Sequence, residues 1–223
     1  MAYWHPIEVV GQPVAYGIGF AVLVLVAFAG TVVRTIVTVA HEGGHMLAGL
    51  LFGRAITSFE LTDGDELSGG GGTGLDPMSG FGDVFIAFIG YATPPLAGLG
   101  GAHAVADGNA WGVLVIGAIL LIASLLIPDI NPLALAITGL ILTGILWALI
   151  AGGPGIQAAV AVGLVWLMLI GGLRSVVIRT YRSSDTQRLV EYTWLPRGVW
   201  FAAWLAIALA CTWSGARLLL RHG

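Results

Sequence analysis

The sequence contains no lysine and a single cysteine, and charged residues make up only 9% of its 223 residues. Soluble domains usually carry about 25% charged residues, so this shortage excludes an ordinary soluble protein. Because Cys211 stands alone, an internal disulfide and C-x-x-C sites are excluded. A net charge of −3 offers no basic surface, so we expect no nucleic-acid partner. With 57% hydrophobic residues, the composition instead predicts an integral membrane protein embedded in a lipid bilayer.

Apolar stretches of nearly membrane-spanning length follow one another along the chain. About 20 apolar residues cross the hydrocarbon layer as a helix, and each stretch approaches that length. We therefore predict an all-α polytopic membrane protein with about six to seven transmembrane helices, forming one domain over residues 1–223. Residues 1–13 lack a basic region, so we expect no cleavable signal peptide. The predicted helices are 14–29, 32–52, 84–105, 111–127, 133–150, 156–177 and 199–220.

Two polar regions interrupt these stretches. In residues 54–82, polar and apolar side chains alternate around Phe59, a hairpin turn signal follows, and then a run of glycines. This pattern predicts a short membrane-associated β-hairpin after the second helix. Residues 178–197 form a polar linker, in which Ser184 is a plausible N-cap of a short helix. Within the third apolar stretch, Pro94-Pro95 predicts a kinked helix that opens beside a polar cavity.

Arginine distribution predicts the orientation of the chain. Cytoplasmic loops carry an excess of positive charge, and five arginines surround the last linker. We therefore expect that linker and the N-terminus to lie in the cytoplasm. The alanine- and glycine-rich, lysine-free composition hints at a bacterial source, so we expect a multi-pass protein of the bacterial plasma membrane. The five arginines are Arg174, Arg179, Arg182, Arg188 and Arg197.

The most informative motif is His41-Glu42-Gly43-Gly44-His45, which lies inside an apolar stretch. Ionisable residues within a membrane span are costly and usually functional. Residues i and i+4 share one face of a helix, so His41 and His45 can bind the same metal ion. Glu42 directly follows the first histidine, where it can act as a general base on water at the metal. The motif therefore predicts a zinc site.

A catalytic zinc site needs a third protein ligand, and the sequence leaves its identity open. The remaining histidines lie near the chain termini or at the far end of the third apolar stretch. An acidic residue is therefore expected as the third ligand. Asp185 and Asp129 are the two candidates, since both lie near helix ends that are predicted to be cytoplasmic.

Several motifs in order resemble the peptidase M50B-like proteins, bacterial relatives of the site-2 intramembrane zinc metalloproteases. They are the His41–His45 motif, the strand-and-glycine region 56–74, Gly90-Tyr91 with Pro94, and Ser184-Asp185 with Leu189 and Pro196. The resemblance spans residues 31–220. It implies hydrolysis of peptide bonds in membrane protein segments, with His41, His45 and Asp185 as Zn²⁺ ligands and Glu42 as the catalytic base.

The resemblance also implies where a membrane protein or peptide substrate binds. Phe59, Glu60 and Leu61 would offer an edge strand to an unfolded segment, with main-chain hydrogen bonds providing affinity. Asn131, in Asn131-Pro132, stands for the asparagine that clamps substrate in site-2 proteases. Their Leu-Asp-Gly motif is absent here. That departure keeps open the alternative of a catalytically silent scaffold or assembly subunit of a larger membrane complex. A zinc or ion transporter is a third, less favoured alternative, because His and acidic residues inside a membrane also suit ion pathways.

Overall fold

The computed structural model describes residues 10–54, 56–61, 71–75, 80–126, 129–130 and 132–220. Within these ranges, the chain forms eight α-helices and a small three-stranded sheet, and Thr73 is the one strand residue whose side chain is described. The helices are α1 (Gln12–Phe28), α2 (Gly30–Leu51), α3 (Phe81–Ala106), α4 (Ala110–Leu125), α5 (Pro132–Ile150), α6 (Pro154–Arg179), α7 (Ser184–Thr193) and α8 (Arg197–Leu219). The strands are β1 (Ile56–Leu61), β2 (Gly71–Leu75) and β3 (Asp129–Ile130), and a 3₁₀ turn at Thr180–Arg182 joins α6 to α7.

Four helices, α3, α5, α6 and α8, are long and apolar enough to cross a membrane. Helices α1 and α2 meet at a 102° bend at Ala29, and counting this pair as one broken span gives five. Helix α4 has 16 residues, or about 24 Å at 1.5 Å per residue, against roughly 30 Å of hydrocarbon. The expected helices are therefore present, but the expected number of six to seven spans is not confirmed.

Helix α6 lies at the centre of the bundle and packs against α3, α1, α8, α4 and α2. Small residues let α3 and α6 approach closely: a Cβ on Gly172 would lie 2.9 Å from Cδ of Pro95. Helix α3 continues through Pro94 and Pro95, both of which are buried. The expected opening of this helix was therefore wrong. Packing against α6 holds the turn in helical form although each proline removes one backbone donor.

The sheet has the strand order β2-β1-β3. β1 pairs antiparallel with β2, with Phe59 opposite Thr73, and parallel with β3, with Glu60 opposite Asp129. The structure therefore contains an antiparallel pair in the predicted region, while the connecting residues 62–70 lie outside the described residues. The expectation of an edge was wrong for Glu60 and Leu61, because each pairs with β2 on one side and β3 on the other, whereas Phe59 pairs with β2 alone. The sequence missed β3, a two-residue strand recruited from a distant loop.

Candidate metal centre

The centre is built first on α2, which presents His41, Glu42 and His45 on its buried side. Glu42 is 3% exposed and His45 is 6% exposed. The two imidazoles lie one turn apart, and their Nε2 atoms are 3.0 Å from each other. Their rings are nearly perpendicular, at 84°. As expected from the i, i+4 spacing on a helix, the motif brings the two ring nitrogens close together.

Asp185 reaches the same point from α7, a short helix held in place at both ends. Ser183 is its N-cap and accepts a hydrogen bond from the Thr186 backbone N–H at 3.2 Å. The Thr186 hydroxyl donates to the Thr180 carbonyl, and the fully buried Leu189 anchors the helix to the core. The helix thus begins one residue earlier than expected, with Ser183 rather than Ser184 as its cap.

The Asp185 carboxylate faces both histidines. Its Oδ2 atom lies 3.1 Å from His41 Nε2 and 3.5 Å from His45 Nε2. Burial by itself would raise the pKa of this carboxyl, but when the imidazoles are protonated, the charge of His45 and hydrogen bonds from both rings hold that pKa well below its ordinary value. Asp185 is therefore kept in its anionic form, which is the form that binds a cation.

A backbone carbonyl on α3 fixes the orientation and tautomer of His45. Its Nδ1–H donates to the Ile86 carbonyl at 2.8 Å. In the neutral ring the proton then sits on Nδ1, so the lone pair of Nε2 points toward His41 and Asp185. Second partners of this kind typically orient metal-binding histidines.

Helix α3 also leaves the room that the two rings need. A Cβ on Gly90 would lie 2.7 Å from His41 Cε1 and closer still to the His45 ring. Tyr91 packs edge-on against His41, with ring centroids 4.4 Å apart, and Trp204 packs on the other side of Tyr91 at 5.1 Å. Only glycine at position 90 fits beside both imidazoles, and the aromatic pair then limits how far His41 can move.

Glu42 stands beside this cluster rather than in it. Its Oε1 atom is 3.9 Å from His41 Nε2. Its Oε2 atom accepts a hydrogen bond from the Thr73 hydroxyl on β2 at 2.7 Å. One carboxylate oxygen is thus held by the sheet, while the other faces the histidines. This is the position that a general base needs, next to a metal but outside its ligand set.

The geometry of the cluster fits a zinc ion. His41, His45 and Asp185 each offer one ligand atom, and these atoms all lie within 4.8 Å of one another. In a tetrahedral zinc site with bonds of about 2.0–2.1 Å, ligand atoms lie roughly 3.3 Å apart. The observed separations are 3.0, 3.1 and 3.5 Å. Three electron-pair donors that converge in a buried space need a shared cation or proton, and two nitrogens with one carboxylate suit zinc.

The other expected site residues are described only through their backbone or lie outside what the structure describes. Asp129 is described through its backbone, which pairs with Glu60 in the sheet. Asn131 lies outside the described residues. Sequence reasoning missed two partners that fix the centre, the Thr73 hydroxyl and the Ile86 carbonyl. Thr73 had a faint signal, because it carries the one side chain in a run of glycines.

No curated protein and no solved structure matches this chain. The sequence model of the family described as Peptidase M50B-like matches residues 14–215, which is most of the chain and includes all of the centre. Together with the apolar helices and the candidate metal site, this match indicates a membrane-embedded protein of the metallopeptidase type. The chain therefore belongs to the Peptidase M50B-like family.

Proposed function

We propose that the protein is a zinc-dependent endopeptidase of the site-2 type, which hydrolyses peptide bonds in segments of membrane proteins. The observation that carries the proposal is the convergence of His41, His45 and Asp185 beside a buried glutamate. When bound, zinc supplies Lewis-acid chemistry, because it lowers the pKa of a water molecule and polarises a carbonyl. His41, His45 and Asp185 would hold the ion.

Glu42 is the proposed general base. Its free oxygen, Oε1, lies on the histidine side of the carboxylate and would take a proton from the attacking water. The same carboxylate would then pass that proton to the leaving amine. Because Glu42 is buried, bulk water does not solvate its carboxylate. The hydrogen bond from Thr73 prevents the carboxylate from rotating away from the histidines.

We place the substrate on β2 rather than on β1. The last two residues of β1 are paired on both sides, so the outer strands among those described are β2 and β3. Of these two, β2 has the described contact with the chemistry, since Thr73 donates to Glu42 directly. An extended peptide that adds to this edge would gain main-chain hydrogen bonds beside the base. Most β2 positions are glycine, so few side chains would obstruct the peptide.

The proposed setting is the bacterial plasma membrane, with the N-terminus and the last linker in the cytoplasm. Arginines around that linker support this orientation. The silent-scaffold alternative rested on the absence of Leu-Asp-Gly, and Asp185 stands beside the histidines without that motif. A transporter would need further polar groups along a path, and within the described part of the chain the metal-type cluster is a single group.

Replacing Glu42 with Gln tests the proposal. The change keeps the size of the side chain but removes the base, so we expect cleavage to fall by roughly 1,000-fold while zinc content stays unchanged. The measurement uses purified protein in liposomes together with a panel of tagged single-span membrane proteins. Cleavage is followed by gel shift, and zinc is measured by mass spectrometry.

Glu191→Gln is the matched control, because Glu191 is exposed on α7 and contacts only Gln187 among the bonds described. This variant should cleave like the wild type. Undiminished cleavage by zinc-loaded Glu42→Gln would remove Glu42 from the mechanism. Stable zinc-loaded wild type that cleaves nothing in the panel, inside the same liposomes as an active control protease, would favour the scaffold.

A further inference from the structure

The hydroxyl of Thr73 links the sheet to α2, the helix that carries the histidine motif, by a hydrogen bond. It donates to Glu42 Oε2 at 2.7 Å and also lies 3.5 Å from the Glu42 carbonyl oxygen. Glu42 is buried, and Thr73 is partly buried. Hydrogen bonds to an ionised group are stronger than those between neutral groups and hold it more firmly.

Glycines flank Thr73 in the strand that contacts α2. β2 reads Gly71-Gly72-Thr73-Gly74-Leu75, so the residues on both sides of Thr73 have no side chain. In the sheet, Thr73 lies opposite Phe59 in the antiparallel pair. Neighbouring positions on a strand face opposite sides of the sheet, so Thr73 faces α2 while Gly72 and Gly74 face away from it.

The two oxygens of Glu42 therefore have different tasks. Oε2 is occupied by Thr73, and Oε1 is left on the side of His41, 3.9 Å from its Nε2 atom. Without the hydroxyl, the carboxylate would lose the contact that sets its rotation. A buried carboxylate would then turn toward any other donor within reach.

We infer that Thr73 is a positioning residue that holds Glu42 with one oxygen turned toward the metal site. The inference rests on the proposed function, since it concerns the base of that reaction. The same strand, β2, would then both receive the substrate and orient the general base Glu42. Thr73 touches neither the substrate carbonyl nor the ion in this role.

The first test is spectroscopic and needs no substrate. Infrared difference spectra of zinc-loaded protein, with Glu42→Gln used to assign the Glu42 carboxylate band, are compared for the wild type, Thr73→Val and Thr73→Ser. We expect Thr73→Val to shift the band and Thr73→Ser to leave it near the wild-type position, because serine keeps the hydroxyl. A Thr73→Val band at the wild-type position overturns the inference.

The second test is kinetic and uses the reporter that the wild type cleaves best. We expect Thr73→Val to lower kcat by roughly 10-fold or more with KM and zinc content unchanged, and Thr73→Ser to restore most of kcat. Thr143→Val is the matched control, because the exposed Thr143 hydroxyl donates only to Gly139 of its own helix among the bonds described. It should behave like the wild type.

The outcomes separate the two proposals. If Glu42→Gln abolishes cleavage but Thr73→Val keeps the wild-type kcat, the positioning role is wrong and the proposed function stands. A lower zinc content or a raised KM with unchanged kcat in Thr73→Val would also refute positioning, since it would indicate a structural or binding role. If no cleavage depends on Glu42, the proposed function fails, and the effect of Thr73 on kcat fails with it, while the infrared test still decides whether Thr73 orients Glu42.

Discussion

At the scale of single residues, the centre depends on where side chains are missing as much as on where they are present. Gly90 leaves the space that the His41 and His45 rings occupy. Gly44, inside the motif, leaves space for Thr93 of α3, whose side chain would clash with a Cβ at position 44. The two glycines face each other's helices, so α2 and α3 approach closely enough for Ile86 to orient His45.

Replacing Gly90 with Ala should therefore disturb the metal site more than the fold. The added methyl group would overlap both imidazoles, and overpacking of this kind costs about 1–3 kcal/mol. We expect zinc content to fall by more than half and the Tm in detergent to fall by several degrees. Both are measured on purified protein by mass spectrometry and thermal denaturation.

Gly144→Ala on α5 provides the comparison, because a Cβ there meets nothing within 4 Å. Alanine is the better helix former by about 1 kcal/mol, so this variant should keep its zinc and its Tm. Full zinc binding by Gly90→Ala, with an unchanged Tm, would contradict the packing that the structure gives around the two histidines.

At the scale of elements, the sequence predicted the helices well and their tertiary partners poorly. Continuous apolar stretches of nearly spanning length locate helices because hydrophobicity is a local property of the sequence, so all seven expected helices were found near their expected bounds. Sheet order was not predictable, since β1 pairs with a two-residue strand about 70 positions away. Asp185 and Asp129 also looked equivalent, because only the tertiary fold decides which loop returns to α2.

One buried ion pair joins the elements on which the centre is built. Arg54, just after α2, contacts Asp83 in the first turn of α3 at 2.7 Å, and their side chains are 6% and 11% exposed. This pair ties together the two helices that hold the histidines and Gly90. The pairing was not evident from the sequence, because 28 residues separate the two partners.

Asp83→Asn should destabilise the protein strongly, because it leaves the Arg54 charge buried without its partner. Removing one member of a buried pair costs roughly 3–5 kcal/mol. The measurement is thermal or denaturant unfolding in detergent. Asp107→Asn, at the exposed C-cap of the same helix, is the control and should change stability little. Equal stability of the two variants would show that the Arg54–Asp83 contact contributes little.

At the scale of the whole molecule, the sheet constrains the path of the chain. β1 precedes α3 and β3 follows α4, and the two strands pair with each other. The chain therefore returns to the same end of the bundle after α3 and α4, although α4 is short. Asp185 lies at that end too, because it meets the motif on α2. The number of spans stays unconfirmed, because the break expected between residues 29 and 32 is a 102° bend at Ala29 and α1 with α2 can count as one broken span.

Labelling of single cysteines tests this path in a Cys211→Ser background, which removes the one native thiol. Cysteines at Asn109 and Gly153 should react with a membrane-impermeant thiol reagent from one side. A cysteine at Gln187 should react only from the other side, which we expect to be the cytoplasm. All three positions are exposed. Labelling of Asn109 and Gln187 from the same side would contradict the arrangement.

The central claim is that His41, His45 and Asp185 bind one zinc ion, and X-ray absorption at the zinc edge tests it most directly. For the zinc-loaded wild type we predict one ion per chain with two imidazole nitrogens and oxygen ligands at about 2.0–2.2 Å. His41→Ala and Asp185→Ala should lose most of the zinc, whereas His103→Ala, on the exposed end of α3, should keep it. Zinc with no imidazole in its ligand shell, or retained unchanged in His41→Ala and Asp185→Ala, would contradict the account.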